Sequence, residues 1–277
     1  MYDPTMLEGT SVEVRLPPGG SLQSIRMLDC NGKDQVAVKI GNMGWNSFEH
    51  PMPDIFWRAV AASSGIVVDI GANTGFYTLL AAAARRRGQV WVVEPDPKVL
   101  PVLEKNITIN QLGRRVKLFR VALSDYKGTA DLFIPLQDHG LVETSSSLER
   151  TFRAQHSEVI TTNVTTLDAL AGGVANLFSK VSIIKIDVEG HEAPVFRGAI
   201  RTIRRHRPLI FVEILDRADY SYFDRFLQEN GYVDLRLLSN GTMIESEQVD
   251  FDPQAWNHVF VPEEAKAAFR AMVSPIV

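Results

Sequence analysis

The chain has a single cysteine, Cys30, so it forms no intrachain disulfide and nothing in its cysteine usage marks a secreted, cross-linked scaffold. A small buried apolar role suits Cys30 better than a reactive thiol. Long apolar runs are also missing. The longest lies near residues 79–84 and ends in Arg85, Arg86 and Arg87, far short of the ~20 residues a bilayer span needs. The opening MYDPTMLEGTSVEV has neither a basic start nor an apolar stretch. No signal peptide is expected, and a cytoplasmic location is the default. Positive charge is not in excess: 29 Lys and Arg face 33 Asp and Glu, for a net charge of -4 and a pI near 5.9. That balance argues against nucleic acid or an anionic membrane as partner. A small molecule is the expected partner, and a homo-oligomer is left open. Internal repeats and low-complexity tracts are absent.

What is present is an ordinary globular composition, 45% hydrophobic and 22% charged over 277 residues. That length suits one large α/β domain with additions. From Ile66 onward short apolar runs alternate with amphipathic segments. GIVVDI, QVWVVE, VKLFRVAL, VSIIKID and PLIFVEI read as strands. GFYTLLAAAARRR, residues 96–110 and residues 192–206 read as helices between them, the second with Asp96 as cap and Pro97 in its first turn. Continuous apolar strands alternating with helices indicate a parallel sheet covered on both faces.

Near the C-terminus YFDRFLQENGY reads as a helix closed by Gly231. Strand-like runs at 232–238 and 256–261 are placed to pair antiparallel at the sheet edge, and 262–273 reads as a final short helix. Residues 1–60 carry alternating patterns (Val12, Val14, Leu16; Val36, Val38, Ile40) and read as a β-rich extension ahead of a main domain over 61–277. Residues 136–158 are polar and weakly periodic. They read as a functional loop, mobile without substrate, with Ser145, Ser146 and Ser147 offered to an acceptor.

VVDIGANTG places Asp69 at the end of the first core strand and Gly71 and Gly75 in the turn that follows, where open parallel sheets bind ligands. A dinucleotide turn needs a glycine where Asn73 stands, because a pyrophosphate must approach the backbone there. Asp69 also opposes a phosphate. The turn suits a ligand with positive charge and no phosphate, and S-adenosylmethionine is such a ligand. Glu94 ends the second strand, where an acidic side chain accepts from both hydroxyls of a ribose. Ala72 and Thr74 of the turn, Pro95 and Asp96 after Glu94, and Ala122 and Ser124 within the VALSD stretch (122–125 beside the adenine) complete the candidate cofactor contacts.

The second motif, IKIDVEGHEAPVFRGAI, turns from a buried strand into a helix with four titratable groups at the corner: Asp187, Glu189, His191 and Glu192. Asp187, Glu189 and His191 are candidate catalytic groups, Asp187 also touching cofactor. Methyl transfer to an alcohol mainly needs alignment, plus a base or a metal to take the proton. Asp187 with Glu213 offers a two-carboxylate site for magnesium or manganese. Lys185, two residues before Asp187, points to the same face of the strand, so an ion pair with Asp187 or Glu213 is the structural alternative. HEAPV is not the H-E-x-x-H of a zinc hydrolase.

The stretches VVDIGANTGFYTLLAA, VVEPDPKVLPVLEKNI, VALSDYKGTADLF, TSSSL, VTTLDAL, IKIDVEGHEAPVFRGA and PLIFVEI together resemble the FkbM-type family of S-adenosylmethionine-dependent methyltransferases, in order, over roughly residues 66–214. The resemblance implies a class I, Rossmann-like, seven-stranded and mostly parallel sheet with an antiparallel last strand. It implies cofactor binding by Asp69, Gly71, Asn73, Gly75 and Glu94, and O-methylation of a sugar or natural-product hydroxyl. N-methylation and a catalytically inactive cofactor-binding scaffold are the alternatives. RNA methylation is disfavoured by the acidic balance.

Other features read as structural. Arg201, Arg204, Arg205 and Arg207, with His206, form a solvated helix end. Asn106 and Asn110 fall at a helix surface or end. Trp45, Phe48, Phe56 and Trp57 pack in the core, although their segment can also lie over the cofactor with Glu49 or His50 near it.

Overall fold

The structure, a computed structural model, describes residue 7 and residues 9–136, 141–142, 145–153, 155–174 and 180–274. The chain opens with an antiparallel pair, β1 (Ser11–Arg15) and β2 (Ser24–Leu28). Two helices follow, α1 (Gln35–Met43) and α2 (Met52–Ala62). The first begins where the Asp34 carboxylate accepts from the Ala37 backbone N–H at 3.0 Å, an N-cap that fixes its start.

The β-rich reading of residues 1–60 is therefore corrected. Val36, Val38 and Ile40 lie in a helix, because Val36 and Ile40 share a helical face at i, i+4 as readily as a strand face at period two. Nor is this segment packed separately. The Phe56 ring meets those of Tyr77 and Phe211 edge-on, each at 5.2 Å between centroids.

The central alternation then runs β3 (Ile66–Ile70), α3 (Phe76–Ala84), β4 (Val90–Val93), α4 (Leu100–Ile109) and β5 (Val116–Phe119). The long strand expected over VKLFRVAL breaks after Phe119. Its second half, β6 (Ala122–Leu123), joins β7 (Gly128–Pro135) and β8 (His156–Thr165) in a separate three-stranded sheet. Next come α5 (Leu167–Val174), β9 (Val181–Ile186), α6 (Glu192–His206), β10 (Leu209–Glu213), α7 (Tyr220–Asn230), β11 (Tyr232–Leu237), β12 (Met243–Ser246), β13 (Asn257–Pro262) and α8 (Lys266–Val273).

The main sheet has the order β12-β11-β13-β10-β9-β3-β4-β5. β5, β4, β3, β9 and β10 are parallel, and β13 runs antiparallel between β10 and β11. The antiparallel pair expected near the C-terminus is present as β11 and β13, and the reversed last strand β13 lies between β10 and β11. β12 adds an eighth strand at the edge, beyond the expected seven.

Side chains alternate across this sheet with period two. Val67, Val92, Ile183 and Phe211 pack with α1, α2, α3, α4 and α8. Val68, Val93, Ile184 and Val212 pack with α5, α6 and α7. The ladder leaves the carboxyl ends of β3, β4, β9 and β10 on one rim, and both sequence motifs open there. The basic end of α6 is held rather than merely solvated: Arg207 donates in fork geometry to Glu264 at 2.9 and 2.8 Å, and Arg201 pairs with Asp168. Cys30 is fully buried, and burial pushes its thiol up to about 12. Among the described residues no helix is long and apolar enough to cross a membrane.

Candidate functional site

The turn after β3 needs backbone that few residues adopt. Gly71, Asn73 and Gly75 have φ of 74°, 54° and 100°, and glycine or asparagine carries such angles at low cost. At Gly71 the demand is also steric. A Cβ there would lie 1.7 Å from the Asp187 carbonyl oxygen, so the first turn and the end of β9 can meet only over a glycine. This close approach joins the two sequence motifs.

Glu94 ties the turn to β4. Its carboxylate accepts from the Asn73 backbone N–H at 2.8 Å and from that of Asp96 at 2.9 Å. A carboxylate has about four lone-pair positions, so capacity remains for a ligand. Burial raises the Glu94 carboxyl to about 8. Asp96 does not cap a helix at residue 97. Its carboxylate accepts from the Lys98 N–H and the Ser146 hydroxyl, and α4 starts only at Leu100.

Sequence reasoning missed Asn106. It is fully buried, donates to the Thr74 carbonyl at 2.8 Å and accepts from the Leu28 N–H at 2.8 Å. The signal was its place at i+3 and i+4 from Leu103 and Val102, on the buried stripe of α4. One turn on, Asn110 holds both backbone groups of Arg26. The two amides suspend β2 beside the cofactor turn.

These pieces line a cavity of about 710 Å³, inside the roughly 300–1,000 Å³ of ligand pockets. Gly71, Ala72, Asn73, Thr74, Gly75, Glu94, Pro95, Asp96 and Ala122 all line it. So do Asp187, Glu189, His191 and Glu213 from the second motif, and Phe48 and Glu49 from the N-terminal segment. Val99, Val121, Leu123 and Leu132 supply an apolar wall.

Two expected contacts are corrected in position. Asp69 is fully buried below the cavity and accepts from the Thr78 hydroxyl at 2.6 Å. It lies opposite Lys185 in the β3–β9 register. Ser124 is also buried, with its hydroxyl on His191 Nε2 at 2.9 Å, and neighbouring Asp125 pairs with Arg197. His50, weighed beside Glu49, does not line the cavity either and lies 3.9 Å from Asp54.

Lys185 is the buried cation within the acidic rim around this strand end. Its ammonium donates to Asp187 at 2.9 Å and stands 4.7 Å from the Tyr77 ring centroid. Burial alone lowers a lysine pKa, but the carboxylates of Asp187, Asp69 and Glu49 outweigh it and the net shift is upward. Tyr77 in turn donates its hydroxyl to Glu49 at 2.7 Å. The ion pair weighed as the structural alternative for Asp187 is therefore formed.

The acidic corner is shaped by Glu192, whose carboxylate accepts from the N–H groups of Gly190 and Val188 at 3.0 and 3.3 Å. Glu189 and Gly190 have φ of 56° and 96°. Burial raises Glu189 to about 8, with Asp187 and Glu192 adding to the shift and Arg153 and the Ser145 hydroxyl opposing it. Burial, together with Asp187, Glu189 and Glu49, holds Glu213 well above the usual carboxylate range.

His191 spans Glu149 through Nδ1 at 2.6 Å and Ser124 through Nε2 at 2.9 Å. The order serine–histidine–acid is that of a hydrolase relay. Ser124 is 1% exposed and outside the cavity, so no substrate reaches it, and His191 is a brace between segments. Of the 136–158 segment, residues 137–140, 143–144 and 154 lie outside the described residues, and Ser145, Ser146 and Ser147 line the cavity. The Ser147 hydroxyl donates to the Glu189 carbonyl at 2.8 Å, so two of the three serines anchor the loop to the site.

The donor set does not fit a divalent metal. Among the described residues no group of three or more His, Cys, Asp or Glu side chains is arranged to hold one. The expected ligand Asp187 is already neutralised by the Lys185 ammonium.

Strand order, a glycine turn after the first parallel strand and an acidic residue ending the second define a Rossmann-like fold of the methyltransferase type. Residues 69–233 match the Methyltransferase FkbM domain, and the chain belongs to that family. It is 24% identical over 161 residues to methyltransferase sdnD of Sordaria araneosa, a match spanning 49% of this chain and 61% of that protein. It is 24% identical over 181 residues to methyltransferase 1 of Beauveria bassiana (strain ARSEF 2860), spanning 60% and 71%. A crystal structure of methyltransferase FkbM from Methylobacillus flagellatus KT aligns with a TM-score of 0.45 at 16% identity, over 71% of this chain and 43% of that one.

Proposed function

We propose that the protein transfers a methyl group from S-adenosylmethionine to a hydroxyl of a small molecule such as a sugar, a glycoside or a natural product. One observation carries this reading: a single cavity is lined both by the glycine turn and Glu94 and by the carboxylates of Asp187, Glu189 and Glu213. Glu94 has acceptor capacity for a ribose diol, and Val121, Ala122 and Leu123 offer an apolar seat for an adenine. The acidic groups of the second motif favour a ligand portion that carries positive charge. Bound there, the cofactor supplies an electrophilic methyl group: the acceptor oxygen bonds to the methyl carbon as the carbon–sulfur bond breaks and its electron pair stays on sulfur.

The chain has to take the proton that the hydroxyl gives up. Asp187 is held as the counter-ion of Lys185, so its carboxylate positions and neutralises. Glu189 is the better proton acceptor, because it lines the cavity and its raised pKa lies near operating pH, where general-base efficiency is greatest. No step is assigned to a metal.

Calorimetry with S-adenosylmethionine, S-adenosylhomocysteine and NAD tests the reading, followed by label transfer from methyl-tritiated cofactor to a hydroxylated acceptor panel. Binding of the first two ligands without NAD, with label recovered in an ether linkage, is expected. Tight NAD binding without a response to S-adenosylhomocysteine overturns it.

A further inference from the structure

Glu189, Glu213 and Arg153 line a second space as well as the cofactor cavity. It is a groove of about 1050 Å³. Its walls are the 149–153 segment, the loop after β10 and the approach to β13, so its inner end is the acidic corner and its outer end is solvent. A sugar-sized molecule in it borders the cofactor cavity at the residues that line both, Glu189 among them.

The walls have a definite chemistry. Phe152, Phe251 and Trp256 supply aromatic surface, and Trp256 is 37% exposed although its neighbours Ala255 and Asn257 are buried. A large ring left open beside a groove is a platform for the apolar face of a ring-shaped ligand. Arg150, Arg153 and Arg217 supply three guanidinium groups. Arg153 lies over the Phe152 ring at 4.9 Å, and no described carboxylate lies within ion-pair distance of any of the three.

Four carboxylates share the groove, but they do not cancel these cations. Glu149 is committed to His191. Glu189 and Glu213 are held towards their neutral forms. Arg153 stands at the junction beside Glu189, which leaves Asp216 against Arg150 and Arg217 away from it, a cationic surplus suited to bidentate recognition of an oxyanion.

We propose that this groove is the acceptor subsite and that it takes a hydroxylated small molecule bearing an anionic group, a carboxylate or a phosphate. The reacting hydroxyl lies at Glu189 and Glu213, the ring on Trp256, and the anion between Arg150 and Arg217. The assignment rests on the methyl-transfer reading and adds the charge of the substrate to it.

The test uses the full chain loaded with S-adenosylhomocysteine and three probes: glucuronate, glucose 6-phosphate and neutral methyl glucoside. Ligand-observed NMR and calorimetry should show at least one anionic probe binding about ten-fold tighter than the neutral one, as expected for charge-assisted hydrogen bonds. Which anionic probe wins distinguishes carboxylate from phosphate. The double variant Arg150→Ala/Arg217→Ala should abolish the preference with S-adenosylhomocysteine affinity unchanged, and Arg150→Lys/Arg217→Lys should retain part of it. Equal binding of the neutral probe, no binding of any probe, or a preference that survives the alanine variant overturns the groove assignment while cofactor binding stands. Failure of S-adenosylhomocysteine to bind overturns the methyl-transfer reading itself, and the groove assignment with it.

Discussion

The Lys185 ammonium donates to the Asp187 carboxylate at 2.9 Å, with Lys185 buried and Asp187 27% exposed at the cavity wall. The pair sets the charge of the rim. Removing Asp187 leaves a buried ammonium facing only Asp69 and Glu49. Asp187→Asn should therefore cost about 1–3 kcal/mol of stability, the penalty of an under-satisfied charged donor. Denaturant unfolding measures it. The double variant Lys185→Met/Asp187→Asn should recover part of the loss, since no unpaired charge remains. An Asp187→Asn protein as stable as the parent, yet inactive, would instead return the general-base role to Asp187.

Glu94 carries two duties, and both should fail together. Glu94→Ala loses the acceptor for the Asn73 and Asp96 N–H groups as well as the ribose contact. Cofactor affinity should fall by about 1.5–3 kcal/mol, and the melting temperature without ligand should fall too. Calorimetry and thermal unfolding on one sample separate the effects. Unchanged affinity with a lowered melting temperature would place the ribose elsewhere.

Asn106→Leu tests a residue that the sequence did not flag. The change keeps the branching of the side chain but removes the hydrogen-bond partner of the Thr74 carbonyl and that of the Leu28 N–H. The loss should be about 2–4 kcal/mol, from two buried backbone groups left unsatisfied. S-adenosylhomocysteine should bind more weakly, because Thr74 belongs to the cofactor turn. A variant with parental stability and affinity contradicts that account.

What the sequence disclosed follows from how local each signal is. β3, β4, β9 and β10 were legible because strands buried on both faces read as unbroken apolar runs between helices. The two corners were legible because glycine and asparagine mark backbone that few residues adopt. β12 was not, since MIES on the sheet edge has no fully buried residue, with exposed Ile244 and Glu245 between half-buried ends, and carries no apolar run. Nor was the Ser124–His191–Glu149 chain, whose contacts cross 67 and 42 residues and leave no periodic trace. Asp69 was placed correctly at a strand end, but one residue of further extension, Ile70, is enough to put it beneath the cavity rather than in its wall.

Glu189→Gln is the sharpest test of the proton path. It preserves shape and removes the acceptor, so methyl transfer should fall about 10²–10⁴-fold with S-adenosylhomocysteine affinity nearly unchanged. The parent's rate should rise with pH as Glu189 ionises around its raised pKa of about 8, and the variant should lose that limb. An equal loss in Asp187→Asn with the limb retained would assign the proton to Asp187.

Stability should decline as pH rises from about 5 to 8 in the unliganded protein. Burial raises Glu49 and Glu192 to about 7 and Glu94 and Glu189 to about 8, from an ordinary 4.5. In that window the folded state binds more protons than the unfolded chain, so the stabilisation present below the ordinary value is lost as pH passes the raised values. Carboxylates shifted the other way, such as Glu149 beside His191 and Glu264 beside Arg207, exert their effect below that window and leave the slope alone. The melting temperature should therefore be highest near pH 5. Glu192→Gln should flatten the fall by about 1 kcal/mol per pH unit between pH 5 and 7, one proton's worth of linkage discounted for relaxation. Saturating S-adenosylmethionine should flatten it further, because its cationic groups favour ionised carboxylates, and more than S-adenosylhomocysteine, which lacks the sulfonium charge. A melting temperature that is level or rises from pH 5 to 8 would mean that the four glutamates are solvated in the free protein and that the acidic corner is open to water before any ligand binds.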